Sequence, residues 1–240
     1  MRLQITNLQI LVTTALAAQL QYASLGSSYA AGPGLETNYP HLIAAKLSAN
    51  LTDRSVSGSL LKDISSQIAG IPNNADIVTI TSGGNDLSYV LGLSQHVAPA
   101  QTVSQDELTT RFTTALDSIH AIAPKATIYL VEYLTMLSSS TKPNVDVPFN
   151  ATEIAKFEAI FSKLKAATEA SVEGRKDWAV VVPVSEMSTK HALGSTETLW
   201  VNGGSVPSGA GGVIWHPNTA GTEAVAELAV GIIKGTISTR

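Results

Sequence analysis

The chain has 240 residues, a formal net charge of −4, 14% charged residues and no cysteine. That length fits one domain, and 44% hydrophobic residues are ample for a buried core. With no basic run and only 5% aromatics, the composition argues against nucleic acid or an anionic membrane as partner, and without cysteine there are no thiolate metal sites, thiol nucleophiles or disulfides.

The N-terminus carries Arg2, an apolar run from Ile10 to Ala18, and an Ala-x-Ala pattern at Ala15 and Ala17. Residues 1–18 therefore read as a secretory signal peptide. The competing reading is an amphipathic helix kept in the mature chain. The run is too short to span a membrane, so no integral membrane association is expected. The tripeptides Asn50-Leu51-Thr52 and Asn150-Ala151-Thr152 are acceptors that a secreted glycoprotein would use. Residues 19–240 are expected to form a single domain, acting as a monomer.

Tyr22, Ala23 and Leu25 predict a first strand that breaks at Gly26 into Ser27 and Ser28. The segment Tyr22–Gly34 then turns toward a helix beginning near Asn38. A serine at such a turn is where an α/β enzyme places a nucleophile. A Gly-rich turn after a strand is also where such folds bind phosphate. Tyr39 to Ala49 has helical spacing, with Pro40 suited to a first turn. Leu51 to Val56 predicts a second strand, and Leu60 to Ile68 a short helix. Asp76 to Thr81 is a β-branched run expected as a buried parallel strand, ending in Ser82-Gly83-Gly84-Asn85-Asp86. A short helix over Leu87–Leu93 follows.

From Gln105 to Ala123, Leu108, Phe112, Ala115, Leu116, Ile119 and Ile122 recur at three and four, which predicts an amphipathic helix. Thr127–Tyr133 and Trp178–Val184 predict further strands, with a helix over Thr152–Val172 between them. Ser185 to Gly212 has no clear period and reads as loop. Pro217 to Ile233 predicts a closing helix. Strands alternating with helices imply an α/β fold with a doubly wound, mostly parallel sheet of five strands. Ligands bind such sheets at the carboxyl ends of the strands, where the turns at 26–34, 57–59 and 82–86 would lie.

Several residues in these turns suit chemistry. Ser28 and Ser27 are alternative hydroxyls, and either also suits a plain turn. Gly58 fits a turn with φ > 0, or a backbone N–H left open to an oxyanion. Asn85 either caps a helix, as Asp86 also could, or aims its amide at developing negative charge. His216, before Pro217-Asn218, can reach over the sheet edge after a long loop. His41, His96, His120 and His191 lack that setting.

Taken in order, Gly26-x-Ser28-x-x-x-Gly32, Gly58, Gly84 with Asn85, and the terminal His216-Pro217-Asn218 resemble the SGNH hydrolase (GDSL esterase/lipase) superfamily. The resemblance spans residues 21 to about 232, and the wording LGSSYAAGPG, YPHLIAAKL, SGGNDLSY, WVNG and HPNTAG is similar to its secreted bacterial and fungal members. It implies a flavodoxin-like three-layer α/β/α fold. It implies Ser28 as nucleophile and His216 as general base and acid. The Ser28 and Gly58 N–H groups with the Asn85 side chain would form the oxyanion hole. No metal or cofactor is implied, and the substrate would be a small-molecule, polysaccharide or lipid ester. With no Gly-Lys-Ser/Thr and no acidic ribose partner in place, the phosphate-loop reading falls away.

Two positions depart from the family pattern. Ser27 stands where the family usually has Asp, and Val213 where it has the Asp that orients the histidine. A backbone carbonyl near Val213, or a carboxylate such as Glu186, would have to do that work. Val213 also leaves a second function open, a catalytically silent glycan- or lipid-binding module on the same fold.

Overall fold

The computed structural model describes residues 19–238; the expected signal peptide, residues 1–18, lies outside the described residues. Five strands pair in parallel: β1 (Gln21–Gly26), β2 (Asn50–Asp53), β3 (Ile77–Thr81), β4 (Thr127–Val131) and β5 (Ala179–Val182). Their order is β2-β1-β3-β4-β5. The described helices are α1 (Ser28–Ala31), α2 (Tyr39–Leu47), α3 (Ile64–Ile68), α4 (Tyr89–Gln95), α5 (Gln105–Ile122), α6 (Ala151–Ser171), α7 (Val184–Ser188) and α8 (Thr219–Ser238). α2 packs on α8, while α3, α4, α5 and α6 pack on one another, and with the sheet between them the layers are α/β/α. In this strand order the winding reverses between β1 and β3, which opens a crevice at their carboxyl ends.

The elements form for local reasons. β3 (IVTIT) and β4 (TIYLV) are buried along their whole length, as strands covered on both faces must be. α5 starts where the Ser104 hydroxyl accepts from Glu107 N, with Asp106 and Glu107 in its first turn complementing the dipole. It buries Leu108, Phe112, Ala115, Leu116 and Ile119. Ile122, expected on the same face, is 45% exposed at the fraying last turn. α6 begins with a reciprocal capping box between Asn150 and Glu153. The Asn38 side chain accepts from His41 N at the start of α2.

Three differences from the sequence-based elements have physical causes. β2 ends at Asp53 rather than Val56, because the Asp53 carboxylate takes the Ser55 N–H and hydroxyl into an Asx turn. The helix expected over 60–68 opens as a 3₁₀ turn, Leu61–Asp63, before α3. The segment after Ser185, expected as loop, holds most of α7 and a 3₁₀ turn at Thr189–His191. There the buried Glu132 carboxylate accepts from both Ser185 N and Ser185 Oγ, at 3.1 and 2.5 Å. A partner 53 residues away starts that helix, so no local pattern reveals it.

Candidate active site

β1 delivers Gly26, Ser27 and Ser28 to the crevice. Ser27 N–H continues the ladder to Thr81 O at 2.8 Å, and the chain then turns into α1. The Ser27 side chain is fully buried, its Oγ 2.8 Å from the Tyr133 hydroxyl. Ser28 Oγ lies instead 2.8 Å from His216 Nε2. The two serines that the sequence left as alternatives thus have different partners.

His216 Nδ1 is 2.8 Å from the Ile214 carbonyl. A carbonyl only accepts, so Nδ1 carries the hydrogen and Nε2 is the bare lone pair. The Ser28 hydroxyl is then the donor. Burial lowers the His216 pKa below its ordinary value, and the Ile214 hydrogen bond raises it by less. The imidazole is therefore neutral over a wider acid range than an exposed histidine.

The ring can fold back onto a carbonyl two residues earlier because Trp215, between them, has φ +57°. A bulky residue there is strained and needs its surroundings to hold it. The Trp215 indole is fully buried, with Phe149 5.4 Å and His96 6.4 Å away between ring centroids. The Tyr29 hydroxyl donates to Trp215 O at 3.2 Å. The Tyr29 ring also packs 5.4 Å from His216 and 4.1 Å from Tyr133. No carboxylate hydrogen-bonds His216 among the described residues. Glu186 lines a separate cavity with Thr135 and Lys165.

Gly58 and Asn85 come to the same edge through one hydrogen-bonded chain. Gln67 accepts from Gly26 N at 2.8 Å and donates to Gly26 O and to Ser59 Oγ, each at 3.1 Å. Ser59 Oγ also donates to Gly26 O at 3.0 Å. Asn85 Nδ2 donates one hydrogen to Ser59 O at 2.9 Å, which leaves its second N–H. Asn85 is therefore not a helix cap, and neither is Asp86, which holds Arg111 and Leu61 N. Gly58 has φ +85° and is exposed, with no atom within 4 Å of where a Cβ would stand. Its approach is open, and its backbone conformation favours glycine. Ser28 heads α1, and the first N–H groups of a helix have no intrahelical acceptor.

Gly84 is needed for closeness. A Cβ there would meet the Tyr133 ring at 2.6 Å. Tyr133 thus bridges the β3 loop to the Ser27 turn. Sequence reasoning missed Tyr133 and Gln67, while the Ile214 carbonyl is one of the two orienting partners it left open, a backbone carbonyl near Val213. Gln67 did leave a signal, a polar residue between Ile64 and Ile68 on the buried face of α3. Of the other histidines, His120 stacks on Trp178 and His191 on Trp200, while His41 lies beside Asn38. A hydroxyl, a neutral imidazole and backbone and amide donors at one sheet edge are the groups that nucleophilic acyl transfer requires.

The model of the GDSL-like Lipase/Acylhydrolase family matches residues 24–224. Lipase 2 of Streptomyces coelicolor (strain ATCC BAA-471 / A3(2) / M145) is 25% identical over 257 residues, covering 89% of this chain and 86% of that protein. Phospholipase A1 from Streptomyces albidoflavus NA297 superposes with a TM-score of 0.68 at 18% identity, over 89% of this chain and 98% of that one. The extracellular lipase from Streptomyces rimosus gives 0.67 at 20% identity, over 88% and 97%. At these identities the structural likeness shows the fold.

Proposed function

The chain belongs to the GDSL-like lipase/acylhydrolase family, ester hydrolases by that membership, and we propose that it works through a Ser28–His216 dyad and an acyl-enzyme. Ser28 Oγ attacks the ester carbonyl carbon as its proton passes to His216 Nε2. The tetrahedral intermediate collapses, and the imidazolium returns that proton to the departing alcohol. Water then repeats the sequence on the acyl-Ser28 ester, releasing the acid and restoring the hydroxyl. The Ser28 and Gly58 N–H groups and the free Asn85 amide hydrogen hold the oxyanion. No metal or cofactor takes part.

The observation that carries this reading is the 2.8 Å contact from Ser28 Oγ to His216 Nε2, with the other ring nitrogen on the Ile214 carbonyl. That carbonyl does the orienting work for which an aspartate at Val213 would otherwise serve. It favours an active enzyme over a silent binding module, because a half-buried neutral imidazole whose free nitrogen faces a hydroxyl is what proton transfer from that hydroxyl needs.

We take the substrate as a small-molecule, lipid or polysaccharide ester. Beside His216 the loops 142–147 and 203–214 are joined, with Gly204 N on Asp146 O at 2.8 Å and Trp215 N on Gly203 O at 3.2 Å. They expose Val145, Val206 and Ile214. Secretion and glycosylation at Asn50 or Asn150 complete the proposal. The named relative from S. rimosus is extracellular, and no described helix is long and apolar enough to cross a membrane.

Turnover of a short p-nitrophenyl ester tests the assignment. Ser28→Ala is expected to lose at least about 10³-fold in kcat. Wild-type turnover by the variant would overturn it.

A further inference from the structure

We propose that Asn202 is a positioning residue for His216: it clamps the backbone on both sides of the carbonyl that orients the imidazole. The proposal rests on the dyad reading above. Asn202 is 1% exposed. Its backbone N–H donates to His216 O at 2.9 Å. Its side-chain Nδ2 donates to Gly211 O at 2.8 Å and to Val213 O at 3.2 Å. One residue thus grips the loop before and after Ile214, whose own oxygen takes the His216 Nδ1 hydrogen. The neighbouring Val201 pairs with Pro217 in an antiparallel bridge, which sets Asn202 in register with the histidine.

The loop needs such a clamp. Gly211, Gly212 and Trp215 all have positive φ, at +69°, +77° and +57°, and the backbone bonds from Gly212 N to Gly34 O and from Trp215 N to Gly203 O leave the Val213 and Ile214 peptides to Asn202 and His216. Fixing Val213 O fixes the peptide plane leading into Ile214, and with it the direction in which the next carbonyl points. A carboxylate side chain could follow a drifting imidazole by rotating; a main-chain carbonyl cannot.

The amide is also used asymmetrically. Both Nδ2 hydrogens are spent on carbonyls, while Oδ1 is buried with no partner. What the position supplies is two donors to two carbonyls.

The test compares Asn202→Asp, which keeps the shape but turns an oxygen toward the two carbonyls, with Asn202→Ala. Both are assayed for kcat, KM, the pH profile and cooperative melting. Folded variants are expected to lose about 10–100-fold in kcat with KM nearly unchanged, the size of effect that misplacing a reacting group produces. For Asn202→Ala, which adds no charge, the acid limb of kcat/KM is expected to move to lower pH, because a weakened Ile214 contact takes away part of what raises the imidazole pKa. Wild-type kcat and pH profile in a folded variant, or a loss confined to KM, would overturn the proposal. A readout on the wild-type protein covers the case where neither variant folds. The Asn202 side-chain amide protons, followed by ¹⁵N NMR, are expected to exchange slowly; exchange at the rate of a free amide refutes the clamp. Ser28→Ala is run alongside. If it retains turnover, the dyad reading has failed; if it is inert while Asn202 variants match wild type, only this inference has failed.

Discussion

A histidine held by a carbonyl gains orientation but less stabilisation of its charged form than a carboxylate gives. His216 is such a residue, and burial already lowers its pKa. The active form has the imidazole neutral, so activity falls only as pH drops through that lowered value. We predict that the acid limb of kcat/KM titrates below about 6.5, the ordinary histidine value. A limb at or above that value would contradict the buried geometry. At this scale the sequence pointed to residues set in glycine-rich or capped turns. Ser28, Gly58, Asn85 and His216 stood out because each sits in a strongly patterned turn. The histidine's orienting partner was narrowed only to a carbonyl near Val213 or a carboxylate such as Glu186, because an isoleucine carbonyl has no side-chain signature. The family pattern favoured Ser28 over Ser27, and what the sequence could not show is the partner that occupies Ser27, Tyr133, 106 residues away.

Elements bring these residues together by ending at the same place. β1 ends in Gly26 and β3 in Thr81, paired neighbours on either side of the point where the winding reverses. The loops beyond them are then joined by Gln67, Ser59 and Tyr133. Gly84→Ala would push its methyl into the Tyr133 ring, itself stacked on Tyr29 against His216. Overpacking of this kind costs about 1–3 kcal/mol. We expect a lowered Tm and a kcat reduced by more than about 10-fold, read by calorimetry and ester turnover. Asn150→Ala removes the α6 cap and is expected to cost about 1 kcal/mol of stability in urea unfolding with no change in KM. Strands and long helices were legible from period and caps. α7 was not, because its first turn is held by the Glu132 carboxylate from β4's end.

Across the whole molecule, Glu132 is also a pH-dependent liability. It is 4% exposed, one oxygen is unpartnered, and burial raises its pKa despite the Ser185 hydrogen bonds. Between the ordinary carboxyl value and that raised value the folded state holds more protons than the unfolded chain, so stability falls as pH rises through the window. Glu132→Gln keeps an acceptor for Ser185 and should flatten that slope in melting curves taken across pH; an unchanged slope would mean that the carboxyl ionises freely. The fold as a whole was legible because five apolar runs alternating with amphipathic helices admit few other arrangements. The central proposal is a single activated serine at the β1–β3 crevice, and labelling the folded protein with a fluorophosphonate tests that most directly. The account predicts one adduct, mapped by mass spectrometry to Ser28 and lost in His216→Ala. An adduct on Ser27, or none at all on the wild-type protein, would contradict it.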